Sequence, residues 1–138
     1  MKRISLILVC LLCLSSAAFS NNRHVHSATG NASDFKAAGV KASWMDGCEI
    51  QIINQSYADV RIFGIFDDGS SLEPFNIYSF EAPHYISLYY YGYCHEGMEI
   101  DIETFYGYPV FSGFVRRGTP LYITPYYGSR LKAQVRKS

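Results

Sequence analysis

From Trp44 onward, apolar and polar residues alternate in short runs broken by turn residues about every ten positions, the pattern of a β-sandwich or barrel. Eight candidate strands follow: Cys48–Asn54, Val60–Asp67, Pro74–Tyr78, Tyr85–Cys94, Met98–Phe105, Pro109–Arg116, Leu121–Pro125 and Leu131–Lys137. Prolines 83, 109, 120 and 125 sit at run ends, where a missing N–H costs least. Asp68-Gly69 is a hairpin signal, because both residues tolerate the positive φ of a type I′ turn. No stretch after Trp44 keeps a helical period, and there is no internal repeat.

Side chains alternate sides along a strand, so parity assigns faces. Cys48, Ile50 and Ile52 share one face of the first run, opposite Glu49 and Gln51. Ile86, Leu88, Tyr90 and Cys94 share one face of the fourth. Met98, Ile100 and Ile102 point inward with Glu99, Asp101 and Glu103 outward, and Leu131, Ala133 and Val135 inward with Lys132, Gln134 and Arg136 outward. The Val60–Asp67 run is apolar on both faces, which predicts a central strand. The expected fold is an all-β, antiparallel β-sandwich of about seven to eight strands, immunoglobulin-like or jelly-roll-like, with one disulfide.

The amino-terminal part differs. Lys2-Arg3, an apolar run from Ile4 to Leu14 and a small-residue exit with Ala18 and Ser20 form the three parts of a secretory signal peptide over residues 1–20. The run is shorter than the ~20 residues of a membrane-spanning helix, so no stable membrane anchor is expected. Residues 21–43 lack a period and large apolar side chains; they read as a flexible leader with a short helical stretch near Asp34–Ala38. The β domain occupies 44–138. The expected location is secreted, extracellular or periplasmic, and the short signal fits a bacterium.

Cleavage after Ser20 would remove Lys2 and Arg3 but no acid, leaving ten basic against twelve acidic residues. That balance argues against nucleic acid, which needs a basic face. It would also leave Cys48 and Cys94 as an even pair in an oxidising compartment, most simply a disulfide. Both fall on the apolar faces of their runs, which predicts a buried bridge between sheets. Closing a loop of 46 positions is worth about 4 kcal/mol at most.

Tyrosine is the unusual constituent, with 12 in the chain. Tyr85, Tyr89, Tyr91 and Tyr93 share the face opposite Ile86 and Leu88, so parity sends them outward; Tyr122, Tyr126 and Tyr127 add to them, and Tyr106 and Tyr108 line a turn. Exposed aromatic rows give rigid contact area with polar tips, suited to proteins and sugars. The same row also fits plain cross-strand pairing. Tyr85, Tyr89, Tyr91, Tyr93 and Tyr122 are the candidate ligand-binding residues, with an extracellular protein or glycan as partner. Glu99, Asp101 and Glu103 form an acidic stripe that either pairs with Lys132 and Arg136 across a sheet or stands solvated.

Catalytic signatures are missing: no G-x-S-x-G, H-E-x-x-H or phosphate-binding glycine loop occurs. Asp67, Asp68, Glu73 and Glu96 are the carboxylates available to a hydrolase, and His95-Glu96 is either a catalytic pair or a polar turn. Asp67-Asp68-Gly69 begins like a calcium loop but is not continued at Ser71-Leu72. His24-Val25-His26 holds a metal weakly at best, so no metal or cofactor is assigned. Asn31 and Asn54 each head a glycosylation sequon. The favoured class is a non-catalytic secreted binding module; a small secreted hydrolase or enzyme inhibitor and a structural envelope component are the alternatives.

Overall fold

The computed structural model of the chain describes residues 22–29, 47–126 and 130–135. The expected signal segment, the stretch near Asp34–Ala38, Trp44 and Tyr127 lie outside the described residues. Among the described residues the strands are, in chain order, β1 (Arg23–His24), β2 (Glu49–Asn54), β3 (Val60–Phe66), β4 (Phe75–Ile77), β5 (His84–Ser87) and β6 (Tyr89–Tyr90). They continue as β7 (Tyr93–Cys94), β8 (Gly97–Thr104), β9 (Pro109–Arg116), β10 (Pro120–Pro125) and β11 (Leu131–Val135).

The strands make a five-stranded sheet in the order β1-β5-β2-β10-β11, a four-stranded sheet β4-β3-β8-β9 and a small hairpin β6-β7. Antiparallel pairing dominates, as expected; β1 on β5 and β2 on β10 are the parallel contacts. The two larger sheets share one apolar core, the arrangement of a sandwich. β2 and β8 alternate as read from sequence, with Ile50, Ile52, Met98, Ile100 and Ile102 fully or almost fully buried. Each such side chain contributes roughly 1.5–3 kcal/mol relative to exposure. β3 is central, between β4 and β8, with Val60, Ile62 and Phe66 inward.

Several expectations change. The run expected as one strand over Tyr85–Cys94 is three, because the chain folds back at Tyr91-Gly92, whose φ values of 53° and 84° are those of a type I′ turn. Asp68 is not among the positive-φ residues; only Gly69 is, at 84°, in a three-residue turn closed by Phe66 N–H to Ser70 O at 2.9 Å. The Cys48–Cys94 disulfide is formed, with Cα atoms 5.8 Å apart. It ties the β6-β7 hairpin to the entry of β2 rather than joining the two large sheets, and Cys94 is half-buried. Val135, expected inward, is exposed at the end of the edge strand β11. The acidic stripe on β8 and Lys132 on β11 lie in different sheets, so their strands are not neighbours; Arg136 lies outside the described residues.

Residues 22–29 of the expected leader belong to the fold. They add β1 to the β5 edge and continue into a 3-10 turn, Ser27–Thr29. His24 and His26 are the side chains that seat them.

Candidate functional site

The expected tyrosine row is divided between two places. Tyr85 and Tyr122 stay on the outward face of the five-stranded sheet, with β2 between them: Tyr85 pairs with Gln51 and Tyr122 with Ile53. Both are half-buried, and the Gln51 amide donates to Tyr85 Oη at 3.1 Å. Tyr89 is half-buried in the hairpin, where its hydroxyl donates to Gly92 O at 3.0 Å. Tyr91 and Tyr93 are exposed at the hairpin tip, 63% and 57%.

Beneath that tip is a polar cluster that parity alone does not reveal. Tyr93, His95, Tyr90 and His26 stack in that order, with ring centroids 4.0, 3.6 and 4.1 Å apart. Phe66 meets His26 and Tyr90 edge-on. Asp67 accepts hydrogen bonds from the Tyr90 hydroxyl and from His95 Nδ1, the latter at 2.7 Å. These bonds hold the Asp67 carboxyl below its ordinary value, and burial with Asp67 beside it pushes the Tyr90 hydroxyl well up. Asp68 accepts from the Ser70 hydroxyl at 2.7 Å and the Ser70 N–H at 2.9 Å, which brings it down to about 2.

Ser70, His26 and Asp68 are the residue types of a hydrolytic triad, but their geometry is different. His26 Nδ1 accepts the Ala28 N–H at 2.9 Å, so the proton of the neutral ring sits on Nε2. That same Nε2 faces both Ser70 Oγ, at 2.5 Å, and Asp68 Oδ2, at 3.0 Å. A ring that presents its proton to serine does not take serine's proton. Asp67 and Asp68 are both held ionised, whereas a glycosidase acid needs a raised value. His95 is buried and turned to Asp67, not to Glu96. Among the described residues, no group of three or more His, Cys, Asp or Glu side chains is placed to hold a metal ion.

Among the described residues, the opposite end of the sandwich carries six exposed aromatic side chains. The β2–β3 loop presents Tyr57, the β4–β5 loop Tyr78 and Phe80, and the β8–β9 loop Phe105, Tyr106 and Tyr108. Tyr57, Tyr106 and Tyr108 are 81%, 89% and 70% exposed. The rings are not independent: Phe80 meets Tyr57 edge-on at 5.5 Å, Phe105 meets Tyr78 at 6.3 Å, and the Arg61 guanidinium lies 5.7 Å from the Phe105 centroid. Tyr57, Tyr106 and Tyr108 flank an open depression of about 980 Å³ that also receives Asp59, Thr104 and Arg130.

Buried polar groups fix these loops. Asn54, 1% exposed, donates to Ala58 O at 2.9 Å, Tyr78 O at 3.2 Å and Ile77 O at 3.3 Å. Its Oδ1 accepts from Ser56 Oγ at 2.6 Å and from Ser56 N at 3.0 Å. One side chain therefore joins the loops that carry Tyr57 and Tyr78, and as a sequon asparagine it is out of reach in the folded chain. Asp59 Oδ1 accepts the Ser79 N–H at 2.9 Å, and Phe105 N donates to Asp59 O at 3.3 Å, which brings in the third loop. The turn at Tyr106 is closed by Thr104 N–H to Tyr108 O at 2.9 Å. The sequence shows Tyr106 and Tyr108 at a turn; their meeting with Tyr57, Tyr78 and Phe80 depends on strand order, which alternation does not encode.

No protein-family model and no curated protein matches the chain. The fold is similar to a solved NMR structure of a protein from Eubacterium rectale, at 18% identity and a TM-score of 0.49, over 72% of this chain and 97% of that one. No property of that protein carries over at this level of likeness.

Proposed function

We propose that the chain is a secreted, non-catalytic binding module that takes a glycan at the aromatic loop end. The observation that carries the reading is the convergence of three loops on one depression, with Tyr57, Tyr106 and Tyr108 standing largely in solvent around it. Isolated exposed aromatics are ordinary; six on one end, held by a buried hydrogen-bond network, are not. A sugar ring offers an apolar C–H face and a rim of hydroxyls. Tyrosine rings match the face, and Asp59, Thr104 and Arg130 supply acceptors and donors for the rim. Preset loops lower the ordering cost that an open site otherwise meets on binding. Export is supported by the three-part segment over residues 1–20, and the disulfide is compatible with it.

The test is binding of the purified domain to an oligosaccharide array, followed by calorimetry on the hits. Tyr106→Ala with Tyr108→Ala is expected to weaken binding at least tenfold and leave the melting temperature within about 2 °C, since exposed side chains contribute little to stability. Tyr91→Ala with Tyr93→Ala is expected to leave binding unchanged. The reverse outcome would move the site to the hairpin tip, which carries two of the five tyrosines that parity singles out.

A further inference from the structure

The stretch 22–29 is seated on the β5 edge by a contact between two histidines, His24 and His84. His24 Nε2 lies 2.9 Å from His84 Nδ1, one ring donating and the other accepting. The His24 ring stacks on Phe75 with centroids 3.4 Å apart, and Phe75 also underlies His84. His84 is buried, and its Nε2 makes no aligned hydrogen bond, with Glu81 Oε1 3.4 Å away. Two residues later, His26 packs against Tyr90 and Phe66, with Nδ1 accepting the Ala28 N–H.

Among the described residues the segment is also held by the two-residue pairing of β1 with β5, by His26 Nε2 against Ser70 Oγ and Asp68 Oδ2, and by contacts of Asn22 and Arg23. Tyr85 N donates to Asn22 O at 2.8 Å, the Asn22 amide reaches Ala82 O and Pro83 O at 3.4 Å, and Arg23 pairs with Glu49 at 3.3 Å on the surface. β1 is two residues long, and β5 is paired on its other side by β2. Both large sheets are therefore complete without β1.

We infer that residues 22–29 form an acid-released clasp, which docks on the β5 edge while His24 and His84 are neutral and lets go when they take up protons, uncovering Phe75, Phe66 and Tyr90. This inference stands independently of the loop-end reading.

A neutral pair satisfies the shared bond with one proton. A second proton sets two donors, or two charges, against each other over an apolar ring. The charged groups around the pair are Glu81, on the His84 side, and Arg23 with its partner Glu49, at the surface. Around His26 they are Asp68 and Asp67, with the Tyr90 and Tyr91 hydroxyls and His95 nearby. Burial first, and then His84, lowers His24 from 6.5 to about 4; burial likewise lowers His84, opposed by Glu81. The sign follows from proton counting. The released segment binds more protons than the docked one between these values, so docking is complete above 6.5 and weakens as pH falls toward 4. The docking equilibrium falls by up to about tenfold per pH unit in that window.

The test is hydrogen exchange on the full chain, corrected for intrinsic rates, at pH 7.5 and pH 4.5. The Tyr85 amide reports the clasp, because it donates to Asn22 O; Ile100 and Ile102 in β8 report the core. Tyr85 protection is expected to fall more than tenfold at the lower pH, with the core amides unchanged. His24→Phe, which keeps a ring over Phe75 and takes no proton, is expected to reduce that loss to less than threefold. Unchanged Tyr85 protection in the wild type, or loss of core protection along with it, would overturn the clasp. Where His24→Phe does not dock at pH 7.5, NMR titration of the wild-type rings decides. A His24 ring titrating near 6.5 while Tyr85 stays protected overturns the inference, and one titrating well below it supports it.

Discussion

Asn54 shows how one residue organises a surface it does not belong to. Its two amide protons are shared among the carbonyls of Ala58, Ile77 and Tyr78, and its oxygen takes two donors from Ser56. Leaving buried polar groups without partners costs about 1–3 kcal/mol each. Asn54→Ala orphans several at once, although water entering from the loop end relieves part of the loss. We expect it to lower stability by roughly 2–4 kcal/mol in urea denaturation and to weaken binding at the loop end. Asn54→Asp keeps the acceptor for Ser56 but turns a carboxylate oxygen toward the carbonyls of Ala58, Ile77 and Tyr78. It is expected to cost at least as much at neutral pH and to recover partly in acid, where the carboxyl regains a donor. A stability loss in Asn54→Asp well below that in Asn54→Ala would show that the amide donors contribute little. None of this is legible in the sequence: Asn54 ends an alternating run and reads as a turn residue or a sequon.

At the scale of elements, alternation was a reliable guide where one face of a strand is dry. Parity placed Ile50, Ile52, Met98, Ile100 and Ile102 inside because one face of each strand meets the facing sheet. It misled across Tyr85–Cys94 for a local reason. The type I′ turn there uses Tyr91-Gly92 rather than Asn-Gly or Asp-Gly, and a tyrosine at φ 53° carries no turn signal. Residues 22–29 were unreadable for the opposite reason: their seating rests on two histidines and a two-residue edge pairing with β5, not on a periodic apolar face. The Cys48–Cys94 bridge is the device that holds the resulting hairpin. β6 and β7 have two residues each, too few to stand alone as a sheet. A bridge spanning 46 positions is worth about 2–4 kcal/mol. Cys48→Ala with Cys94→Ala is therefore expected to lower the unfolding free energy by that amount. It is also expected to raise exchange at His95, whose N–H bonds to Leu88 O at 2.9 Å, before exchange rises in β8. Simultaneous loss in both would make the hairpin part of the core's cooperative unit.

For the whole molecule, the acid response has two parts, one at the β5 edge and one in the β3–β4 turn. His24, lowered to about 4, removes stability as pH falls from 6.5 toward 4. Asp68, held at about 2 by Ser70, has the opposite charge logic: its contribution is full above 3.8 and is lost as pH falls from there toward 2. Asp67, lowered by Tyr90 and His95, acts in the same direction as Asp68. The first loss has a ceiling. Once protonation has used up the free energy that docks residues 22–29, the segment detaches and the core no longer registers further charging. The partial exposure of His24 reduces the effect as well, so the ceiling is about 2 kcal/mol or less. Urea midpoints measured from pH 8 to pH 2 are expected to be level above 6.5, to step down to a plateau near 4, and to fall again below 3.8. In His24→Phe the first step is expected to shrink while the second remains. In Ser70→Ala, which removes the hydroxyl bond to Asp68, the second is expected to shrink instead. A single smooth decline that neither substitution alters would place the acid sensitivity elsewhere, in the net charge of the chain rather than in these two sites.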